Sequence, residues 1–125
     1  MSQVTKRILC VDDDEDTCTM LSVFLGQAGY EVVSAQSSAE ALKLAHGEKF
    51  DLYLLDLWLK GEDEKVELFR RIRQFDGETP IVIYSADARQ TTQNSLSEAN
   101  VQAFLTKPKG LDNLVQTIKQ LTSLN

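Results

Sequence analysis

The sequence predicts a doubly wound α/β fold in which one five-stranded parallel sheet has helices on both faces. Five short apolar runs alternate along the chain with segments whose apolar residues recur at helical spacing. Apolar runs of this length are typical of strands that are buried on both faces of a parallel sheet. A chain of 125 residues, of which 42% are hydrophobic, suits one domain with a packed core. The crossovers are expected to be right-handed, and for a doubly wound sheet of five strands we predict the order 2-1-3-4-5.

The first half of the chain contains two predicted strands, each followed by a predicted helix. The strands are Arg7 to Val11 and Tyr30 to Ala35. Gly29 ends the first helix, and Ser37 or Ser38 caps the second. The side chains predicted to face inward from the first helix are Met20, Leu21, Phe24, Leu25 and Ala28. Those predicted to face inward from the second are Ala41, Leu42, Leu44 and Ala45.

The second half contains the other three strands, which we predict at residues 52–56, 80–85 and 102–106. Asp63 is predicted to cap the third helix, whose inward side chains are Val66, Leu68, Phe69 and Ile72. The fourth predicted helix, residues 87–99, is rich in Gln, Thr, Ser and Asn and is therefore the weakest by propensity and burial. The last predicted helix has one apolar stripe, formed by Leu111, Leu114, Val115, Ile118 and Leu121.

Acidic residues follow two of the predicted strands at the point where each strand ends. Asp12 and Asp13 come directly after the first strand, and Asp56 ends the third. Favourable interaction with a helix N-terminus explains the acids at 14–16, and it is one explanation for Asp12 and Asp13 as well. The other explanation is a cation site, because these two acids leave a buried strand directly. Strands one and three are neighbours in the predicted order, so all three carboxylates are expected to meet at the ligand crevice.

The charges around this crevice indicate which ligands it would accept. Neighbouring carboxylates repel one another and raise each other's pKa unless cations neutralise them. Lys107, after the fifth strand, supplies one positive charge, and a divalent cation would supply the other two. Carboxylate and water oxygens are the ligands that suit Mg²⁺. With the Ser85 hydroxyl at the end of the fourth strand, the crevice has the groups needed for phosphoryl transfer to a carboxylate nucleophile.

Composition excludes several other classes of protein. A net charge of -6 and a pI near 4.7 argue against direct nucleic-acid binding, which requires a basic surface. No apolar run approaches the roughly 20 residues of a membrane span, and the N-terminus lacks the pattern of a signal peptide, so we expect a cytoplasmic protein without membrane contact. Its two cysteines are then reduced thiols, and with a single histidine a zinc site is not expected.

Four stretches taken together resemble the receiver domain of two-component response regulators, a flavodoxin-like α/β fold. They stand in family order and span the whole chain: ILCVDDDED, LYLLD, IVIYSA and FLTKP. The resemblance implies that Asp56 accepts a phosphoryl group from the phosphohistidine of a sensor histidine kinase or phosphotransfer protein. It implies a magnesium site formed by Asp13 directly, by Asp12 largely through water, by Asp56, and by the backbone carbonyl of Trp58.

The resemblance also implies a switch and a set of partners. Lys107 would pair with Asp56 and then with the phosphoryl group, while Ser85 and Phe104 occupy the two switch positions. The surface read by a partner would be the fourth predicted helix, the fifth strand and the last helix. We expect one receiver domain over residues 1–125 without an output domain, acting as a phosphoacceptor rather than an enzyme. Its target would be a downstream protein or a missing C-terminal output domain, and a homodimer formed on phosphorylation is left open.

Departures from the family pattern and rival functions complete the sequence analysis. Lys60 and Glu64 stand where the family usually has Pro and Gly, but no reacting group is lost. A haloacid-dehalogenase-like phosphatase would need a second carboxylate two residues after Asp56, where this chain has Trp58. A phosphate-loop enzyme would need a Gly-rich loop followed by Lys, which the sequence lacks. The remaining alternative is a pseudo-receiver, a protein–protein module that is never phosphorylated.

Overall fold

The protein's structure, a computed structural model, describes residues 5–12, 14–57, 62–85, 103–106 and 111–122. The predicted fourth helix, residues 87–99, lies outside this description. The elements in chain order are β1 (Arg7–Val11), α1 (Glu15–Gln27), β2 (Glu31–Ala35), α2 (Ser38–Gly47), β3 (Leu52–Leu57), α3 (Glu62–Phe75), β4 (Ile81–Ser85), β5 (Ala103–Thr106) and α4 (Leu111–Thr122). No helix of the described part is long and apolar enough to cross a bilayer.

The five strands form one parallel sheet in the order β2-β1-β3-β4-β5, which confirms the predicted topology. The chain changes direction across the sheet after β2, because β1 lies between β2 and β3. This switch point places the carboxyl ends of β1 and β3 side by side. In sheets of this kind, ligands bind in the crevice at that edge.

Side chains of alternate strand residues face opposite sides of the sheet and form two apolar cores. Leu9, Val11, Tyr53 and Leu55 belong to the core that α2 and α3 cover through Ala41, Ala45, Leu68 and Ile72. Their sequence neighbours belong to the core on the other face, which α1 and α4 cover. The strand members of that second core are Ile8, Cys10, Leu52, Leu54, Val82 and Tyr84. Burial on both faces explains why the strands consist of continuous apolar runs.

The buried face of α1 is rotated about the helix axis relative to the face that the sequence predicts. The buried residues of this helix are Cys18, Leu21 and Leu25, whereas Met20, predicted to face inward, is 46% exposed. Asp14 caps the helix by accepting a hydrogen bond from the N–H of Asp16 at 3.0 Å. This cap fixes the start of the helix at Glu15. Leu21 and Leu25, three and seven residues after Cys18, then lie on the same face of the helix as Cys18.

The caps of α2 and α3 resolve two further predictions. Ser37, not Ser38, caps α2, since its hydroxyl accepts the N–H of Glu40 at 3.1 Å. The prediction that Asp63 caps α3 was wrong, because the helix begins at Glu62 and Asp63 is its second residue. Within α3, Leu68 and Ile72 are buried as predicted. The side chains of Val66 and Phe69 lie outside the description.

Candidate functional site

The sheet register brings two of the predicted site residues to the same level of neighbouring strands. Val11 of β1 is the register partner of Leu55 of β3. Asp12 and Asp56 are the next residues on these strands, so they stand next to each other at the carboxyl edge, where paired strands are about 4.8 Å apart. Asp56 in turn pairs with Tyr84 of β4. Its strand continues for one residue beyond it, to Leu57.

Asp12 is wholly buried and is attached to three different parts of the fold. Its backbone N–H donates to the carbonyl of Ala35 in β2 at 3.0 Å. One carboxylate oxygen, Oδ1, accepts the N–H of Asp14 at 2.9 Å. Its backbone carbonyl accepts a hydrogen bond from the Cys18 thiol of α1, with 3.4 Å between sulfur and oxygen. The backbone of Asp12 is therefore held by β2 and α1, and its carboxylate by the connection between β1 and α1.

The ends of β4 and β5 extend the same edge. Leu57 pairs with Ser85, and Ser85 pairs with Thr106, so Ser85 lies one level beyond Asp56. Phe104 pairs with Ile83, one level before Asp56. For Asp56, Ser85 and Phe104 the structure describes the backbone only. Lys107, the residue after β5, lies outside the described residues, as do Asp13, Trp58 and Lys60.

The donor chemistry at this edge fits a magnesium ion. A fully buried carboxylate is rare unless hydrogen bonds or a cation balance it, and Asp12 is such a group. Its neighbour across the β1–β3 pair, Asp56, is a second hard oxygen donor, and Asp13 follows Asp12 in sequence. The side chains of Asp13 and Asp56 are not described. In the part that is described, no three ligating side chains come together.

Two residues of this edge were not singled out by sequence reasoning. Asp14 was assigned only a general interaction with the helix dipole, although Asp directly before an acidic first turn is a recognised N-cap signal. Its carboxylate also accepts the Thr17 hydroxyl at 3.0 Å. By sequence, Cys18 is an ordinary thiol in a helical pattern. No sequence pattern indicates its hydrogen bond to the carbonyl of Asp12, because that contact depends on how α1 packs on β1.

Comparison with known proteins assigns the chain to a family. The family model described as the response regulator receiver domain matches residues 8–119. The transcriptional regulatory protein GlrR of Escherichia coli is 35% identical over 118 residues, which cover 94% of this chain and 26% of that protein. The alkaline phosphatase synthesis transcriptional regulatory protein PhoP of Bacillus subtilis is 35% identical over 105 residues, which cover 84% of this chain and 43% of that protein. The chain thus spans less than half the length of these relatives.

Solved structures give the same assignment. The response regulator TrrA of Thermotoga maritima, in complex with Mg²⁺ and BeF, matches with a TM-score of 0.82 and 30% identity, covering 94% of this chain and 99% of that one. The chemotaxis protein CheY4 of Vibrio cholerae matches with a TM-score of 0.86 and 25% identity, covering 94% and 99%. The chain therefore belongs to the family of response regulator receiver domains.

Proposed function

We propose that Asp56 accepts a phosphoryl group from the phosphohistidine of a sensor histidine kinase or a phosphotransfer protein. The observation that supports this most directly is the β1–β3 register, which puts Asp12 and Asp56 at the same level of adjacent strands. A lone carboxylate at a strand end has no particular chemistry. Two acids at a topological switch point, one of them wholly buried, form a basis for binding a cation and a phosphoryl group.

The residues that would hold Mg²⁺ are Asp12, Asp13 and Asp56 through their carboxylates and Trp58 through its backbone carbonyl. When bound, the ion would neutralise negative charge on the phosphoryl oxygens. The Mg²⁺–BeF complex of TrrA, a similar receiver, supports the choice of metal. The carboxylate of Asp12, which accepts the N–H of Asp14, would be held in place by that hydrogen bond.

In the transfer step, a carboxylate oxygen of Asp56 attacks the phosphorus in line with the phosphorus–nitrogen bond of the donor. The new oxygen–phosphorus bond forms as the phosphorus–nitrogen bond breaks, and the imidazole leaves with its electron pair. The Lys107 ammonium would then pair with the phosphoryl oxygens, and the Ser85 hydroxyl would donate to one of them. The protein would act as a phosphoacceptor in signalling rather than as an enzyme that releases a separate product.

The output would come from the edge strand and its surroundings. Ser85 and Thr106 are register partners, and Phe104 lies two residues before Thr106. Movement of Ser85 toward the phosphoryl group would thus act on the strand that contains Phe104. We propose that a downstream protein or a C-terminal output domain reads β5, α4 and the segment 87–99. A homodimer formed through this surface on phosphorylation would be one form of that output.

The test is acyl-phosphate formation with a small phosphodonor, acetyl phosphate, in the presence of Mg²⁺. Intact-protein mass spectrometry should show one added phosphoryl group. This group should not form when a chelator removes Mg²⁺ beforehand, and it should not form in Asp56→Asn. Asp16→Asn removes the same charge from an exposed position in the first turn of α1 and should still be phosphorylated. A chain that takes up no phosphoryl group from acetyl phosphate or from a phosphohistidine donor would be a pseudo-receiver, and the proposal would be wrong.

A further inference from the structure

We infer that Cys18 is a positioning residue for the magnesium site, a role that rests on the proposed function. Its thiol and its backbone N–H bind the chain on either side of Asp13, the acid expected to contact the metal directly. Cys18 would act through the backbone of Asp12 and Asp14 without touching the ion.

Cys18 donates two hydrogen bonds into the connection between β1 and α1. Its thiol donates to the carbonyl of Asp12, at 3.4 Å between sulfur and oxygen. Its backbone N–H donates to the carbonyl of Asp14, at 3.1 Å. One residue of α1 therefore holds the carbonyl groups that flank residue 13 in the sequence. The second bond is the ordinary one of a first helical turn, but the first requires a donor side chain at position 18.

The surroundings of this side chain make the bond effective. Cys18 is 3% exposed and Asp12 is wholly buried, so water does not compete for the carbonyl. Leu21, one turn beyond Cys18 on the same face, anchors this end of α1 in the apolar core that also contains Cys10 of β1. Cys18 is thus the point at which the packing of α1 fixes the backbone of Asp12.

Loss of the thiol should weaken magnesium binding more than it weakens the fold. Without the donor, the carbonyl of Asp12 loses this hydrogen bond, so the backbone next to residue 13 would be held less firmly when Mg²⁺ binds. Groups that orient metal ligands typically contribute about 10–100-fold to metal affinity. A thiol is a weak donor, so we expect Cys18→Ala to bind Mg²⁺ about fivefold more weakly.

The experiment is a titration of the full chain with Mg²⁺ alone, followed by isothermal calorimetry and by the fluorescence of Trp58, its only tryptophan. Cys18→Ser, which keeps a donor at the same position, should restore most of the affinity lost in Cys18→Ala. Leu25→Ala is the matched structural control, because it removes a buried side chain from the same helix two turns away. It should lower the midpoint of thermal unfolding more than Cys18→Ala does, yet leave the magnesium dissociation constant within twofold.

The results separate this inference from the proposed function. If the wild-type chain binds Mg²⁺ and Cys18→Ala binds it equally well, the positioning role is wrong and the magnesium site stands. If Cys18→Ala and Leu25→Ala weaken binding alike, the effect is general loss of packing and the role is again wrong. If the wild-type chain binds no Mg²⁺, the proposed function fails and this inference fails with it.

Discussion

At the scale of single residues, Asp76 shows how one carboxylate can organise a connection. It lies between α3 and β4, where one of its oxygens accepts the hydroxyl groups of Tyr53 at 2.9 Å and Thr79 at 2.6 Å. Its other oxygen accepts the backbone N–H groups of Thr79 at 3.0 Å and Glu78 at 3.1 Å. Burial alone would raise the pKa of Asp76, but these hydrogen bonds together lower it below its usual value. Burial raises the pKa of Tyr53, and the Asp76 carboxylate raises it further.

We predict that Asp76→Asn lowers the free energy of unfolding by about 2 kcal/mol at pH 7, because an amide nitrogen cannot accept two of these hydrogen bonds. A carboxyl group whose pKa is lowered in the folded state stabilises it above the unfolded-state pKa of about 4. This contribution is lost as the pH falls through the folded-state pKa. Urea unfolding of the wild type and of Asp76→Asn should therefore show the full difference in free energy of unfolding at pH 7. This difference should become smaller below pH 4.

The control for this prediction is Glu78→Gln, the same chemical change on an exposed neighbour. It should alter the free energy of unfolding by no more than about 0.5 kcal/mol. A difference between wild type and Asp76→Asn that is equally large at pH 7 and pH 3 would show that packing, rather than ionisation, is responsible.

Residues also show where sequence interpretation reaches its limit. Asp12 and Asp56 could be placed at one edge because each directly ends an apolar run, and strand order alone makes them neighbours. The four hydrogen bonds of Asp76 could not be predicted, because Tyr53 is 23 residues away and reads only as one more apolar position of a strand. Contacts that depend on the packing of two elements leave no local pattern.

At the scale of elements, the five strands were predictable to within one or two residues, but the rotation of α1 was not. Met20 and Leu21 are adjacent apolar residues of α1, and helical spacing allows a stripe centred on either. In the structure, Cys18, Leu21 and Leu25 share the buried face of α1, whereas Met20 and Val23 are 46% and 58% exposed. Free cysteine is usually buried, so counting Cys18 as apolar favours the face that contains Leu21 and Leu25; the predicted stripe did not include it.

The anchoring of α4 gives the prediction that belongs to this scale. Thr122, its last residue, is 6% exposed and donates its hydroxyl hydrogen to the carbonyl of Ile118 at 2.8 Å. Tyr30, 4% exposed and directly before β2, has its hydroxyl 2.9 Å from the Thr122 hydroxyl and must therefore be the donor in that pair. This bond ties the end of α4 to the connection between α1 and β2.

We predict that Tyr30→Phe lowers the free energy of unfolding by about 1 kcal/mol, because one buried hydrogen bond is lost. Thr122→Val should cost about 2 kcal/mol, since it leaves the Tyr30 hydroxyl buried without its acceptor. In the double variant the two losses should not add, and a double-mutant cycle in urea should give a coupling of about 1 kcal/mol. Fully additive losses would show that the two hydroxyl groups do not interact.

At the scale of the whole molecule, the strand order places negatively charged residues from the ends of β1 and β3 next to each other. The strand order follows from alternating elements and right-handed crossovers, and it brings acids from two strand ends together in a chain of net charge -6. On the proposed function, mutual repulsion of these acids would destabilise the fold, and binding of a cation by the folded state alone would stabilise it. Stability and function would then be opposed at this edge.

We predict that Asp56→Asn unfolds at a higher temperature than the wild type in magnesium-free buffer, because one of the repelling charges is gone. Mg²⁺ at about 100 times its dissociation constant should stabilise the wild type by about 2.7 kcal/mol but leave Asp56→Asn nearly unchanged. Thermal unfolding with Mg²⁺, or with KCl at equal ionic strength, measures both effects. Asp16→Asn, an equal change of charge on the exposed first turn of α1, should keep the full response to Mg²⁺. An equal response of Asp56→Asn and wild type would place the ion away from the ends of β1 and β3.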